Sequence, residues 1–263
     1  MIYENIEVRV EAGVAVVELN RPARRNAYTP DMGQELVSAL RCAINDEEVR
    51  AVILTGTGPT FCAGADREYL SGKRGKCGLR LGEEAFITSF VVELSRSNTP
   101  LIAAINGAAI GIGVTMMLPF DIRIAASDAS FGFPYAQLGM IPAMGATHIM
   151  QRLLGYAKTA ELLLCSSIIE APEALAIGLV NKVTPPDQLM SSALELAAKI
   201  VASPRASIAA TRRALIFAAH SSLGAAIANE HKENEELRET RESVAETYAA
   251  SPESLKKAWR GLH

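Results

Sequence analysis

The sequence predicts an α/β protein with a helical C-terminal part. Short apolar runs alternate with helical patterns through the first half of the chain, and helical patterns dominate from Pro172 onward. Hydrophobic residues make up 49% of the 263, enough for a large core. That length is long for one domain and short for two.

Taken in order, Val8-Arg9-Val10 and Val14 to Leu19 flank Glu11-Ala12-Gly13, a hairpin signal. Asn20-Arg21-Pro22 ends the second strand. Thr29-Pro30-Asp31 supplies an N-cap, a proline at the first helical position and an acid in the first turn. The helix continues with Leu36, Leu40 and Ile44 on one face. Ala51 to Leu54 reads as a buried strand, and Phe61 to Arg67 as a small-residue bend leading into a helical segment. Ser71 to Gly82 is basic and glycine-rich and reads as a mobile loop, either a solvated linker or a lid for an anionic ligand. Ala85 to Ser95 resumes helix. Ile122 to Ala125 and Ala129 to Phe131 read as short strands. Ala143 to Leu154, stopped by Gly155, and Lys158 to Cys165 read as helices. Leu189, Leu196 and Ile200 mark one later helix face and Ile208, Leu215 and Ala218 the next; the last fifth is charged and helical, with Trp259 near its end.

Composition excludes several classes. Net charge is −3 and the sequence pI is about 5.9, so a general nucleic-acid binder is not expected. The apolar runs are shorter than the roughly 18 residues of a membrane span. The N-terminal MIYENIEVRVEAG carries early charge, and we expect no secretion signal there. Cys42, Cys62, Cys77 and Cys165 have neither metal-ligand nor redox spacing, which fits free thiols in the cytoplasm. No metal site is expected.

The functional centre is placed at Thr99 to Asp121. Leu101 to Ile105 is a buried strand stopped by Asn106-Gly107; Gly111-Ile112-Gly113 then open a second apolar run, Val114 to Leu118, closed by Pro119. A strand, a bend and a short buried helix fit. The first N–H groups of such a helix have no carbonyl partner within it, so the bend can hold an anion or an oxygen that becomes one. It reads equally as a tight turn where glycine serves only packing. Met116 stands where a dinucleotide fingerprint needs its third glycine, and no Gly-Lys-Ser/Thr follows.

With Asn26-Ala27, Ala63-Gly64-Ala65-Asp66, Gly139-Met140-Ile141-Pro142 and Ala176-Ile177-Gly178-Leu179-Val180, this stretch forms an ordered set. The set resembles the crotonase superfamily of enoyl-CoA hydratases and isomerases. The resemblance implies a ββα spiral acyl-CoA-binding core over residues 1–195 and a helical trimerisation region over 196–263, assembled as a trimer or a dimer of trimers. It implies a CoA thioester substrate and no cofactor beyond that CoA. By motif position, the backbone N–H groups of Ala65 and Ile112 would hold the thioester oxygen. Arg24, Arg25, Ala27, Ala63, Ala65, Asp66, Arg67, Gly111 and Pro134 are candidate contacts to the CoA ligand, with Lys73 and Arg74 further candidates for its phosphates. Asp66 reads alternatively as a helix cap, and Ile112, where many members have glycine, as narrowing the acyl pocket or packing into the core.

The chain departs from the family at its acids and bases. The two hydratase glutamates match Thr115 and Tyr135, and the isomerase carboxylate matches Ala143. Neither alanine nor threonine is an effective base, and tyrosine, with an ordinary pKa near 10, donates rather than accepts at neutral pH. Three readings follow. An enzyme of the hydratase/isomerase type uses the two-amide oxyanion hole with Tyr135, Thr115 or ordered water, which suits double-bond isomerisation or decarboxylation. Alternatively His148, Asp66 or Glu68 supplies the acid or base. The rival class is an acyl-CoA binding protein or silent subunit without chemistry.

Overall fold

The structure, a computed structural model, describes residues 2–240. In chain order its elements are β1 (Ile6–Glu11), β2 (Val14–Leu19), α1 (Pro30–Asn45), β3 (Ala51–Gly56), α2 (Arg67–Leu70), α3 (Ala85–Thr88), α4 (Phe90–Arg96), β4 (Leu101–Ile105), β5 (Ala109–Ile110) and α5 (Ile112–Met117). There follow β6 (Ile122–Ala126), β7 (Ser130–Gly132), α6 (Ala146–Leu164), β8 (Ile168–Glu170), α7 (Ala171–Ala176), β9 (Lys182–Thr184), α8 (Leu189–Val201), α9 (Arg205–Ala218) and α10 (Leu223–Thr240). The chain divides into two compact units, Met1–Ile208 and Ala209–His263.

The first unit is built on a six-stranded sheet of order β1-β2-β3-β4-β6-β9. Only β1 and β2 pair antiparallel; the other neighbours are parallel. The hairpin between them turns on Ala12 (φ 48°) and Gly13 (φ 78°), the paired positive φ that a two-residue loop requires. β4 is buried along its whole length, as near-continuous apolar parallel strands are when both faces are covered. α8 lies against β2, β3, β4 and β6. α1 starts as its sequence dictates: Thr29 Oγ1 accepts the Met32 N–H at 3.1 Å, and Pro30 sits at the first position. A second, three-stranded sheet, β5-β7-β8, takes its first strand from Ala109–Ile110, just before Gly111.

The second unit holds the rest of α9 and α10. There Arg213 forks onto Glu233, with Nε–Oε1 3.0 Å and Nη2–Oε2 2.5 Å. Leu215, Phe217, Leu223 and Ile227 are exposed.

Several expectations need correction. The predominantly helical reading after Pro172 is interrupted by β9, which takes its register from Ile124–Ala126 rather than from a local pattern. α6 starts at Ala146, later than expected, because Met144 (φ 58°) and Gly145 (φ 70°) are left-handed. At Gly155 (φ 77°, ψ 163°) the backbone leaves the helix and re-enters it, so α6 is two helical pieces joined at a kink, with the expected stop at Gly155 kept. The helix expected over Ala85 to Ser95 is broken at Ser89. Trp259 and the charged segment around it lie outside the described residues. Among the described residues no helix is long and apolar enough to cross a membrane.

Candidate active site

Two bends in the first unit meet beside the parallel sheet. Their supports come from asparagines that the motifs contain. Asn26, fully buried, donates to the Thr57 and Thr60 carbonyls at 2.9 and 2.7 Å and accepts the Arg21 N–H at 2.8 Å. Asn106 accepts the Gly56 N–H at 3.0 Å and donates to the Gly58 carbonyl at 2.7 Å. Together they satisfy the loop after β3, whose polar backbone would otherwise be costly to bury. Gly107 admits this loop: a Cβ there would stand 2.1 Å from the Pro59 oxygen.

The first bend runs through Ala63, Gly64 and Ala65. The Ala63 N–H donates to the Arg25 carbonyl at 3.0 Å. The Tyr28 N–H donates to the Gly64 carbonyl at 2.8 Å, and the Asp66 N–H to the Tyr28 carbonyl at 2.9 Å. This parallel bridge turns the Ala65 N–H away from Tyr28, and no described residue accepts it. Ala65 is partly exposed. Asp66 caps α2, its Oδ1 accepting the Glu68 N–H at 3.2 Å, while its Oδ2 meets Arg21 Nη2 at 3.2 Å. Arg21 also donates to the Ala27 carbonyl. The capping alternative for Asp66 is therefore realised.

The second bend follows β5. The Cys62 N–H and carbonyl bond Ala108 and Ile110 across a bridge, at 3.0 and 2.9 Å, and so join this bend to the first. Gly111 has φ 53° and ψ −115°, a conformation that L side chains rarely adopt. Its carbonyl accepts three donors: Val114 N–H at 2.9 Å, Thr115 N–H at 3.1 Å and the Tyr135 hydroxyl at 2.8 Å. Ile112 opens α5, and its N–H has no acceptor among the described residues. Its side chain packs against the core. A Cβ on Gly113 would lie 2.5 Å from the Cys62 oxygen, and one on Gly64 would lie 3.2 Å from the Ile110 oxygen. The bends thus abut through glycine, and each carries one amide with no acceptor among the described residues.

The Thr115 and Tyr135 hydroxyls are already engaged. Thr115 is buried, with Oγ1 3.3 Å from the Ile112 carbonyl and 3.6 Å from Met144 Sδ. Tyr135 is buried on Gly111, and burial pushes its hydroxyl above the usual tyrosine range, so it stays protonated. Ala143 and Pro134 are partly buried. Cys62 is fully buried, which pushes its thiol up to about 12. His148 is exposed on the first turn of α6. Glu68 is exposed and pairs with Lys73 at 2.6 Å, which holds its carboxyl below the ordinary range.

The charged candidates separate into two groups. Arg24, Arg25 and Arg67 are exposed and make no side-chain hydrogen bond or ion pair among the described residues. Lys73 is engaged by Glu68, and Arg74 by the Gly78 carbonyl at 2.7 Å and Glu83 at 3.4 Å. The segment expected to be a mobile loop is tied to α1: Asp31 accepts the Lys76 and Cys77 N–H groups at 3.0 and 2.7 Å. The sequence reading missed the buried pair Tyr28–Glu84, joined at 2.8 Å, and the part Arg21 plays beside Ala65. Neither carries a sequence signal beyond an ordinary polar residue near a turn.

A family model, Enoyl-CoA hydratase/isomerase, matches residues 9–261. The chain is 40% identical to the short-chain-enoyl-CoA hydratase of Clostridium acetobutylicum, over 82% of each chain. It is 36% identical to the crotonyl-CoA hydratase of Syntrophomonas wolfei, over 81% of this chain and 82% of that one. Among solved structures it resembles one described as "a putative enoyl-CoA hydratase" of Thermobifida fusca YX in complex with CoA, with TM-score 0.82 and 30% identity over 90% and 94% of the two chains. The fold is that of the crotonase superfamily, and the chain belongs to the enoyl-CoA hydratase/isomerase family as an acyl-CoA enzyme of that type.

Proposed function

We propose that this enzyme converts an acyl-CoA thioester through an enolate-like species whose oxygen is held by the N–H groups of Ala65 and Ile112. The observation that carries the reading is the pair of unpaired amides on abutting bends. Drawing electrons toward a thioester carbonyl loads its oxygen with negative charge. Donors already in position stabilise that charge without reorganising, each by roughly 3 kcal/mol. Of the basic candidates, Arg24, Arg25 and Arg67 stay without a side-chain hydrogen bond or ion pair among the described residues and suit the CoA phosphates, with Ala27, Ala63, Asp66, Gly111 and Pro134 as further contacts. The structural neighbour with bound CoA supports CoA as part of the substrate. The exposed apolar residues of the second unit support a trimerisation region within residues 196–263, in a trimer or dimer of trimers.

One observation favours a second reading of the reaction. Thr115, Tyr135 and Ala143 put no carboxylate at the family's acid/base positions. Decarboxylation of a malonyl-type thioester fits such a site: the C–C bond to the carboxylate breaks, CO2 leaves, the electron pair moves to the thioester oxygen, and solvent returns a proton. Double-bond isomerisation asks more of a base, and hydration by paired glutamates has none here. The test is to incubate the protein with crotonyl-CoA, longer 2-enoyl-CoAs, 3-enoyl-CoAs and malonyl-type thioesters. Turnover of the malonyl-type or 3-enoyl thioesters above crotonyl-CoA is expected. Tight binding of all with turnover of none would overturn the reading.

A further inference from the structure

A peptide group is planar, with its carbonyl and N–H on opposite edges. The carbonyl that Tyr135 grips therefore shares one rigid plate with the Ile112 amide, because the Gly111 oxygen and the Ile112 N–H belong to the same peptide. Two of the three donors on that oxygen, from Val114 and Thr115, come with the start of α5. The third arrives from 24 residues further along the chain, out of the segment after β7, and is buried.

We infer that Tyr135 is a positioning residue for the Ile112 amide, its hydroxyl fixing and polarising the Gly111–Ile112 peptide whose N–H meets the thioester oxygen. This rests on the oxyanion reading above. Two physical effects support it. Turning the plate would swing the N–H away, and doing so must break the Tyr135 bond as well as the helix bonds. A donor on the carbonyl also draws charge through the amide and makes its N–H a stronger donor, by about 10–30% per hydrogen bond in condensed phase. Tyr135 has one hydroxyl proton, and it points to Gly111, not to the reacting carbons. The position that holds a proton-transferring glutamate in hydratases here holds a group acting through the backbone.

The test is vibrational. Crotonyl-CoA carrying 13C at the thioester carbonyl is bound to the wild-type protein and to Tyr135→Phe, and the carbonyl stretch is compared with that in water. The wild type should shift the stretch to lower frequency. Tyr135→Phe should lose at least about a tenth of that shift while crotonyl-CoA affinity stays within about twofold. Turnover of the most active thioester should fall about tenfold, with the shape of its pH profile unchanged. An equal shift in both proteins overturns the inference, as does loss of one limb of the pH profile, which marks a proton donor. No shift in the wild type instead overturns the oxyanion reading itself. Should Tyr135→Phe fail to fold, 3-fluorotyrosine placed at 135 decides: a stronger donor of nearly the same shape must enlarge the shift, and an unchanged shift sinks the proposal.

Discussion

The Ala65 bend and the Ile112 bend present the same group, a backbone N–H, yet they are held by opposite means. Ala65 sits between two main-chain bonds to Tyr28, so its direction depends little on any side chain. Arg21 and Asp66 only brace it from outside. Ile112 follows a glycine in a left-handed conformation, and a distant hydroxyl grips the carbonyl of that glycine. One donor is fixed by a strand-like bridge, the other by a glycine and a tyrosine. The difference teaches that the two arms should fail under different substitutions.

The largest effect is expected where the arms touch. Gly113→Ala puts a methyl group 2.5 Å from the Cys62 carbonyl oxygen, and backbone must move to admit it. We expect a stability loss of about 3 kcal/mol and at least hundredfold slower thioester turnover. A melting curve and a turnover assay matching wild type would show that the contact does not hold the arms together. Gly111→Ala tests the second arm alone. Nothing lies within 4 Å of the added Cβ, so only the backbone conformation resists it. A cost of about 1–3 kcal/mol and roughly tenfold slower turnover should follow. Unchanged activity would mean that the Ile112 amide does not depend on that conformer. The smallest effect on turnover belongs to Arg21→Ala on the first arm. Losing its mostly buried pair with Asp66 and its bond to the Ala27 carbonyl should cost about 1–3 kcal/mol of stability, but the main-chain bonds to Tyr28 remain, so turnover should fall less than about threefold. A turnover loss as large as that of Gly111→Ala would erase the contrast between the arms.

Much of this was legible because local chemistry and tertiary need coincide. Val14–Leu19 is both a strand-forming run and a largely buried strand with a partner on each side, and its limits agree with the reading. Asn106-Gly107 reads as a turn, and Gly107 is where no side chain fits. Other features needed the third dimension. β8 and β9 are three residues each, too short for an alternating pattern, and they exist because β7 and β6 offer them partners. Lys73 and Arg74 read as anion ligands, yet Glu68 and Glu83 take them within the same segment. Tyr135 stood out for what it replaces, while its partner 24 residues back left no trace in spacing.

The thiol between the arms has a practical corollary. Cys62 is enclosed and weakly acidic, so alkylating and oxidising reagents, which attack thiolates, will pass it over for exposed Cys42 and Cys165. A fluorophore or crosslinker can therefore be attached to the periphery of the folded protein while the junction between the two bends stays chemically untouched.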